Sequence, residues 1–397
     1  MTLPRLRLKP REDRRLRQGH LWVFSNEVDT GATPLKRFQP GEVAVVEDAG
    51  GRAVGVGYVN PNTLICARLL SRDPDETIDR GFWQRRLEQA LDWRRRRFPT
   101  PHYRLVHGEG DWLPGLVVDR FGDVCVVQLN TAGVERHRSD ILAALDRLLA
   151  PRTIVLRNDS PARALEGLTD EVETLGAPVD TVTIEENGLR FLVDPVGGQK
   201  TGWFFDHRDN RARAAILADG ARVLDLFCYT GAWAVQAAAA GARAVVAMDS
   251  AAPALALARE NARLNGVADR IAWIQADVFD HLKELKRERQ RFDLVIADPP
   301  AFVKRRRDLA KGIEGYRRLN KLALARTEAG GVLVSCSCSY HLEADRLRQL
   351  VVGAAAGIGR TGALFARGGQ APDHPVHPAI PETDYLKAQF YRILPWP

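Results

Sequence analysis

Arg222-Val-Leu-Asp-Leu-Phe-Cys-Tyr-Thr-Gly231 is the segment from which the fold is most readily predicted. It predicts a buried strand over 222–227, a tight turn, and an alanine-rich helix from about Ala232. A strand–turn–helix unit of this kind brings an acidic side chain and backbone N–H groups to the carboxyl edge of a parallel sheet, where open α/β sheets bind ligands. An ordinary βαβ turn with a chance aspartate is the alternative at this point.

A second acidic residue, Asp249, ends the next apolar run, 18 residues after Gly231. That spacing suits a carboxylate that holds ribose hydroxyls. The turn has one glycine and not the three of a dinucleotide loop, so it is poorly suited to a pyrophosphate. A nucleoside ligand without phosphates fits better, and the pattern favours S-adenosylmethionine (SAM).

Strand and helix patterns alternate from about residue 195 onward. Strands are predicted over 222–227, 243–248, 271–276, 292–297 and 331–336, with helices that include Ala252–Leu264 and Asp308–Arg326. Such alternation predicts a mostly parallel sheet with helices on both faces. The tail from Pro375 to Leu394 is a candidate for added antiparallel strands.

Acidic residues end successive strands of this predicted sheet, namely Asp225, Asp249, Asp277 and Asp298. In a doubly wound sheet all of them line the same carboxyl edge, although any single one could be a helix N-cap. We expect the amino-acid end of SAM to be held by Asp225 and by the turn residues Phe227, Tyr229, Thr230 and Gly231. We expect Asp249 and the following Ser250 to take the ribose, and Asp277 to accept a hydrogen bond from the adenine amino group.

Asp298-Pro-Pro-Ala-Phe302 follows the fourth predicted strand. Two prolines stiffen this backbone and fix the directions of the Asp298 carboxylate and the Phe302 ring. A rigid carboxylate beside an aromatic ring can grip a flat nitrogenous base. A strand that simply ends at prolines is the alternative.

Gly331-Val-Leu-Val-Ser-Cys-Ser-Cys-Ser339 reads as a buried strand that ends in thiols and hydroxyls. Cys338 falls just past the strand, and Cys336 shares its face by period-two alternation. A thiol at this edge can act as a nucleophile if its pKa is lowered or a base is near. Cysteine is also a common small residue of protein cores, so the residues alone leave its role open.

The front of the chain looks different from its carboxyl-terminal half. Residues 1–72 contain short strand patterns at 43–47, 54–58 and 64–70, preceded by Gly19-His-Leu-Trp-Val-Phe24. This segment resembles a PUA domain, an RNA-binding pseudo-barrel, with a generic small β-barrel as the alternative. Residues 73–193 begin with a helix that ends near Pro99, and continue with hairpin, helix and strand patterns typical of an α+β domain.

Composition agrees with an RNA-binding enzyme and excludes several other classes. The 397 residues carry a formal net charge of +7, with basic clusters at 11–17, 94–97 and 304–307. Basic clusters are typical of nucleic-acid partners, with an arginine-rich chain whose charges are spread over a solvated surface as the alternative. The sequence has no apolar run of about 18 residues, and its start lacks the apolar core of a secretory signal peptide. We therefore expect a cytoplasmic protein without membrane segments. Five cysteines without metal-ligand spacing predict reduced thiols and no metal.

These motifs together resemble a known family. Residues 195–394 resemble class I SAM-dependent methyltransferases, and the whole chain resembles bacterial large-subunit rRNA cytosine-C5 methyltransferases of the RlmI type. The matching stretches are 198–208, 225–231, 298–302 and 337–339. The resemblance implies a multidomain fold with a β-rich PUA-like pseudo-barrel at 1–72, an α+β central domain at 73–193, and an α/β Rossmann-like class I methyltransferase domain at 194–397.

The resemblance also implies a reaction and its residues. Cys338 matches the family nucleophile, and Cys336 has no family role. Asp298 matches the carboxylate that holds the base and is also expected to contact the cofactor. The chain lacks a Pro-Cys dipeptide after the fourth strand, so a two-cysteine mechanism is not supported. The substrate is then 23S rRNA or a large-subunit precursor, contacted by Lys200, Phe302 and Lys304.

The sequence leaves alternatives to this function open. One is an rRNA base-nitrogen methyltransferase that acts on guanine or adenine, because related enzymes share the Asp-Pro-Pro-x-Phe loop. Another is a non-catalytic RNA-binding ribosome assembly factor. The oligomeric state is also open, with a homodimer as one option.

Overall fold

The computed structural model describes residues 3–396, which form two compact units. The first unit comprises Met1–Val182, Asp194–Phe205 and Pro372–Thr383. The second comprises Thr183–Val193, Asp206–Ala371 and Asp384–Pro397. Two short segments of the predicted range 194–397 therefore pack within the first unit. The division at 72 and 193 stays a prediction.

A five-stranded sheet opens the first unit. Its strands are β1 (Arg5–Arg7), β2 (Trp22–Phe24), β3 (Glu42–Glu47), β4 (Ala53–Val59) and β5 (Ile65–Ser71), with the short helix α1 (Arg14–Arg17) between β1 and β2. The strand order is β1-β3-β4-β5-β2. Leu6, Val23 and Val46 belong to its fully buried core. The strands predicted from the sequence at 43–47, 54–58 and 64–70 are confirmed.

A second five-stranded sheet lies in the same unit, in the order β10-β9-β8-β7-β6. The elements are α2 (Arg80–Arg97), β6 (His102–His107), β7 (Leu116–Phe121), β8 (Val124–Leu129), α3 (Ala132–Arg136), α4 (Arg138–Leu149), β9 (Thr153–Asn158), α5 (Pro161–Leu165) and β10 (Glu171–Gly176). Helix α2 begins after Asp79, whose side chain accepts a hydrogen bond from the backbone N–H of Phe82 at 2.9 Å. Its apolar side chains, including Trp83 and Leu87, share one core with α4.

Strands β11 (Val182–Glu186) and β12 (Leu189–Val193) form a two-stranded hairpin. Its turn residues Asn187 and Gly188 have φ angles of 53° and 79°. Two successive positive φ values are those of the hairpin turn that the Asn-Gly dipeptide favours.

The second unit is built on a seven-stranded sheet in the order β15-β14-β13-β16-β17-β19-β18. Its elements are α6 (Arg208–Ala215), β13 (Arg222–Leu226), α7 (Ala232–Ala239), β14 (Ala244–Asp249), α8 (Ala252–Leu264), β15 (Ile271–Gln275), α9 (Val278–Arg287), β16 (Phe292–Ala297), α10 (Leu309–Arg326), β17 (Thr327–Ser337), α11 (Ala344–Ala356), β18 (Arg360–Gly368) and β19 (Lys387–Pro395). Strands β13 to β17 pair in parallel, while β18 and β19 add antiparallel strands. The alternating pattern from the sequence is confirmed.

The strand order fixes where a ligand can bind in the second unit. Strand β14 lies on one side of β13, and β16 lies on the other. The loops after β13 and β16 therefore flank the point where the chain order reverses, and open α/β sheets bind their ligands outside that point. None of the helices within residues 3–396 combines the length and the apolar character that a membrane-spanning segment needs.

Candidate active site

The turn between β13 and α7 holds an unusual backbone shape. The φ angles of Phe227, Tyr229 and Gly231 are 65°, 49° and 81°. Left-handed conformations at non-glycine residues cost free energy and concentrate at ligand sites. A Cβ atom on Gly231 would lie 2.6 Å from the indole ring of Trp273, so both the φ angle and the packing require glycine there. The turn therefore has one fixed shape at the N-terminus of α7.

Asp225 is a fully buried carboxylate on β13. Neither of its oxygens has a hydrogen-bond partner of normal geometry within residues 3–396. Burial, and then the charges of Asp298 and Asp249, raise the pKa of Asp225 well above its usual range, and the backbone amide of Ala234 offsets this only in part. The hydroxyl of Thr230 is likewise buried without a partner in the described chain. Buried polar groups in this state suit a ligand that brings a cation or a donor.

Asp249 at the end of β14 connects the turn to the next loop. One carboxylate oxygen accepts a hydrogen bond from the backbone N–H of Tyr229 at 2.9 Å, and the other accepts one from Ala251 at 2.9 Å. The residue is half-buried, and Ser250 beside it is exposed. A carboxylate oxygen has two lone pairs, so Asp249 keeps acceptor capacity for a ligand.

Asp277, two residues after β15, caps helix α9. Its Oδ1 accepts hydrogen bonds from the backbone N–H groups of Phe279 at 2.9 Å and Asp280 at 3.1 Å, and the residue is exposed. Through Oδ1, Asp277 therefore acts as a helix N-cap, which is the alternative role that the sequence left open. The charges of Asp249 and Asp298 both act on Asp225, whereas an adenine contact of Asp277 stays a prediction.

Asp298 lies directly after β16 and is oriented by two aromatic side chains. The indole N–H of Trp233 donates to Oδ2 at 3.0 Å, and Nε2 of His207 lies 3.2 Å from Oδ1. The Asp298 side chain is 19% exposed and that of His207 is 6% exposed. Neither Trp233 nor His207 is marked as a site residue by the local sequence pattern. For His207 the available signal was its place in the 198–208 stretch that carries the family resemblance.

Cys336 lies beside this carboxylate. The ligand atoms of His207, Asp298 and Cys336 all lie within 4.8 Å of one another. Burial, and then the nearby Asp298 and Cys338, raise the pKa of the Cys336 thiol well above its usual range. Cys336 is therefore a neutral thiol in the wall of the site, which makes it a poor nucleophile. The expectation that no metal takes part stays a prediction.

Cys338 follows the end of β17 and is half-buried. Its two neighbours are tightly held, because the Ser337 hydroxyl donates to the Tyr316 hydroxyl at 2.9 Å and the Ser339 hydroxyl lies 2.9 Å from the same oxygen. The backbone N–H of Val303 also donates to the Ser339 hydroxyl, at 3.1 Å. This network fixes the backbone on both sides of Cys338 against α10 and the loop after β16.

Lys387 on β19 contacts the same segment. Its ammonium group donates to the backbone carbonyls of Ser339 at 2.7 Å and Tyr385 at 2.9 Å. The residue is 8% exposed, and burial lowers the pKa of its amine. A buried cation therefore lies at the segment that carries Cys338, which no sequence pattern indicated.

The three predicted substrate residues differ in their surroundings. Phe302 is half-buried and packs on Tyr316, with ring centroids 4.8 Å apart. Lys304, two residues later, is exposed. Lys200 belongs to the first unit, where it is exposed and its ammonium lies 4.8 Å from the centre of the Phe204 ring. Their contacts with a substrate stay predictions.

Comparison with known proteins agrees with this architecture. The family described as S-adenosylmethionine-dependent methyltransferase matches residues 136–375, and the family described as PUA-like domain matches residues 6–72. The PUA-like domain and the methyltransferase domain predicted from the sequence are thereby confirmed.

Full-length relatives and solved structures give the same result. Ribosomal RNA large subunit methyltransferase I of Alteromonas mediterranea is 39% identical over 96% of both chains. The protein of the same name from Erwinia tasmaniensis is 38% identical over 99% of this chain and 100% of that one. A protein assigned as a methyltransferase and crystallised with SAH has a TM-score of 0.83 at 21% identity, over 98% of this chain and 100% of that one, which shows a shared fold.

Proposed function

The chain belongs to the ribosomal RNA large subunit methyltransferase I family of SAM-dependent methyltransferases, and we propose that it methylates C5 of a cytosine in 23S rRNA. The observation that carries the proposal is the position of Cys338. It is a half-buried thiol on a segment that hydrogen bonds fix on both sides, at the edge of the sheet that also carries Asp298.

The described residues fit SAM. The carboxylate of Asp225, buried and without a partner in residues 3–396, is suited to the ammonium of its amino-acid end. The turn residues Phe227, Tyr229, Thr230 and Gly231 would surround that end, Asp249 and Ser250 would take the ribose, and Asp277 would meet the adenine. When bound, SAM supplies an electrophilic methyl group on its sulfonium.

The chemistry assigned to the protein starts at Cys338. Cytosine C5 is a weak nucleophile, so a covalent route is needed. The Cys338 thiolate adds to C6 and forms a carbon–sulfur bond, which makes C5 electron-rich enough to take the methyl group; the methyl–sulfur bond of the cofactor would break in the same step, with S-adenosylhomocysteine as the leaving group. Asp298, oriented by Trp233, hydrogen-bonds the base edge near N3 and stabilises the adduct. Loss of the C5 proton to a base then expels the Cys338 thiolate and restores the ring.

The RNA substrate is proposed from the names of the relatives, the PUA-like domain and the net charge of +7. The target cytosine must leave its stack to reach a thiol at the edge of a sheet. Phe302 and Lys304 would contact the displaced nucleotide, and Lys200 would contact the RNA backbone. Because the proposed substrate is 23S rRNA or a large-subunit precursor, we also propose a cytoplasmic location.

The test is methylation of unmodified bacterial 23S rRNA with labelled SAM, followed by nucleoside analysis, for wild-type protein, Cys338→Ala and Cys336→Ala. We expect label in 5-methylcytidine, loss of turnover by at least about 10³-fold in Cys338→Ala, as for other removed nucleophiles, and a change below about tenfold in Cys336→Ala. Both variants should bind SAM normally.

Other outcomes would replace the proposal. Label in a methylated guanine or adenine that survives Cys338→Ala would assign a base-nitrogen methyltransferase. A protein that binds RNA but not SAM would be an assembly factor. Full activity of Cys338→Ala on cytosine would remove the covalent mechanism.

A further inference from the structure

Two cavities on the first unit share a wall. One has a volume of about 410 Å³ and the other about 430 Å³, and both are lined by Arg72 and Trp112. Each volume lies in the range of about 300–1,000 Å³ that is usual for small-molecule sites. Every lining residue belongs to the first unit, so these cavities are separate features from the candidate active site of the second unit.

Trp112 is presented to both cavities by a strained and well-anchored turn. Its φ angle is 59°, which is uncommon for a bulky residue, and 38% of its surface is exposed. The preceding residue, Asp111, forms a bidentate ion pair with the fully buried Arg94, with one N–O distance of 2.7 Å. A conformation of this kind is kept where the surroundings fix it and where it serves a ligand.

His377 lines the first cavity and packs its ring on Trp112, with centroids 4.6 Å apart. Its Nδ1 accepts a hydrogen bond from the backbone N–H of Ala379 at 3.2 Å, so the neutral ring carries its proton on Nε2. That Nε2 has no hydrogen-bond partner within residues 3–396, although the side chain is almost fully buried. Burial and the nearby His20 lower the pKa of His377, which keeps the ring neutral. The neutral ring therefore supports the indole of Trp112 at the wall of the first cavity.

Two arginines give the cavities their charge. Arg72 is exposed, and its Nη2 donates to the backbone carbonyls of Leu16 and Arg17, each at 3.0 Å. Arg86 lines the second cavity, and its Nη2 donates to the carbonyl of Leu70 at 2.9 Å. These bonds orient both guanidinium groups and leave further N–H donors for an anion. No aspartate or glutamate is among the described residues that line either cavity.

We propose that the paired cavities bind one unpaired nucleotide of the RNA substrate, with its base stacked on Trp112 and a phosphate on Arg72 and Arg86. Arginine suits phosphate, an accessible indole suits a base, and single-stranded RNA is recognised by this combination. The exposed amides of Gln18 and Gln89 lie at the two cavities and would contact base edges. The inference rests on the proposed function, from which it takes RNA as the ligand. It assigns RNA recognition to a site remote in sequence from Cys338.

The experiment measures binding of the full chain, without cofactor, to a fluorescein-labelled single-stranded RNA oligonucleotide, by anisotropy. Trp112→Asn removes the stacking ring and keeps a residue that tolerates a positive φ. The matched control is Trp93→Asn, because Trp93 on α2 is 52% exposed and lines neither cavity. We expect Trp112→Asn to weaken binding about 5- to 100-fold, as loss of one base–aromatic stack does. Trp93→Asn should change it less than about twofold.

A second variant separates stacking from charge. Arg72→Met should reduce the magnitude of the slope of log affinity against log salt by about 1, which corresponds to the loss of one phosphate contact. Trp112→Asn should leave that slope unchanged. A purely structural role for either residue would lower the thermal midpoint and affect both quantities in the same way. Unfolding curves for each variant complete the comparison.

Equal RNA affinities for Trp112→Asn and Trp93→Asn would overturn the proposal. So would an acidic peptide that binds in a Trp112-dependent manner while RNA binding stays unchanged, since the cavities would then serve a protein partner. The proposed reaction can fail separately. Trp112-dependent RNA binding without any 5-methylcytidine would keep this site and remove the C5 chemistry.

Discussion

The turn after β13 and the segment at the end of β17 lie at the same edge of one sheet, yet they differ in whether their buried polar groups are hydrogen-bonded. The Asp225 carboxylate and the Thr230 hydroxyl are buried without partners in the described chain. The Ser337 and Ser339 hydroxyls are buried too, but each is hydrogen-bonded to Tyr316. The first region keeps unsatisfied groups that a ligand can complete, whereas the second uses satisfied groups to hold one reactive residue in place.

This difference has an energetic meaning. A buried carboxylate without a partner costs the folded protein free energy, which ligand binding can recover. A completed hydroxyl network costs little, and it fixes a catalytic group before the substrate arrives. Substitutions should therefore affect the two regions in different ways: ligand affinity and apo stability in the first, turnover in the second.

Apart from the loss of the Cys338 thiol itself, the largest effect in these two regions is expected at Asp225. Asp225→Asn removes a charge-assisted hydrogen bond to the cofactor, which is worth about 1.5–3 kcal/mol, so the Kd for SAM should rise about 10- to 100-fold. Because the same change removes a costly buried charge, the cofactor-free protein should become more stable. Calorimetric titration and thermal unfolding measure the two effects. A loss of affinity together with a loss of stability would contradict the assignment.

The pH dependence of Asp225 follows from its raised pKa. The folded apo protein binds this proton more tightly than the unfolded chain does, so its stability falls as pH rises from the usual value of about 3.9 towards the raised one. A cofactor ammonium needs the ionised carboxylate, so SAM affinity should rise over the same window. In Asp225→Asn the contribution of this residue to both pH dependences should disappear.

A smaller effect is expected at Tyr316. Tyr316→Phe leaves the hydroxyls of Ser337 and Ser339 without their shared partner, which should cost about 1–3 kcal/mol of stability and about tenfold in kcat. Ser335→Ala is the matched control, because Ser335 is equally buried on β17 but donates to Asn320 at 2.7 Å. It should lower stability without a specific loss of kcat. Equal kcat values in the two variants would show that the network has no part in turnover.

The smallest effect is expected at Asp277, which is predicted to serve two purposes. Asp277→Ala should cost about 1 kcal/mol of stability as a lost N-cap and raise the Kd for SAM about fivefold through a lost adenine contact. Asp79→Ala removes an equivalent cap on α2 and should affect stability alone. Asp277→Ser should restore the cap but not the affinity. An unchanged Kd in Asp277→Ala would leave this residue as a helix cap only.

Much of the second unit could be predicted because its signals are local. Apolar runs bounded by turn residues gave the strands at 222–227, 271–276 and 292–297 to within a residue of the observed ends. The helix Ala252–Leu264 was predicted with its observed bounds, helped by a proline in its first turn. The first long helix was predicted from residue 73 and begins at Arg80, because Asp79 caps it and the preceding residues form an irregular segment.

Partners that meet only in three dimensions could not be predicted. His207 and Trp233 reach Asp298 from segments 91 and 65 residues away, and Lys387 reaches Ser339 across 48 residues. Each of these side chains has an ordinary local pattern, so no periodicity marks it. The packing of residues 372–383 in the first unit, which brings His377 to Trp112, is of the same kind.

Local sequence patterns were enough to predict the class of fold, the strand-end aspartates and the cysteine at the end of the last parallel strand. These follow from periods and turn residues that act over a few positions of the chain. The tertiary structure alone decided which of those groups are satisfied and which are left open. Asp225 is without a partner in the described chain and Ser339 is fully engaged because burial and long-range contacts, and not local sequence, set the environment of a polar group.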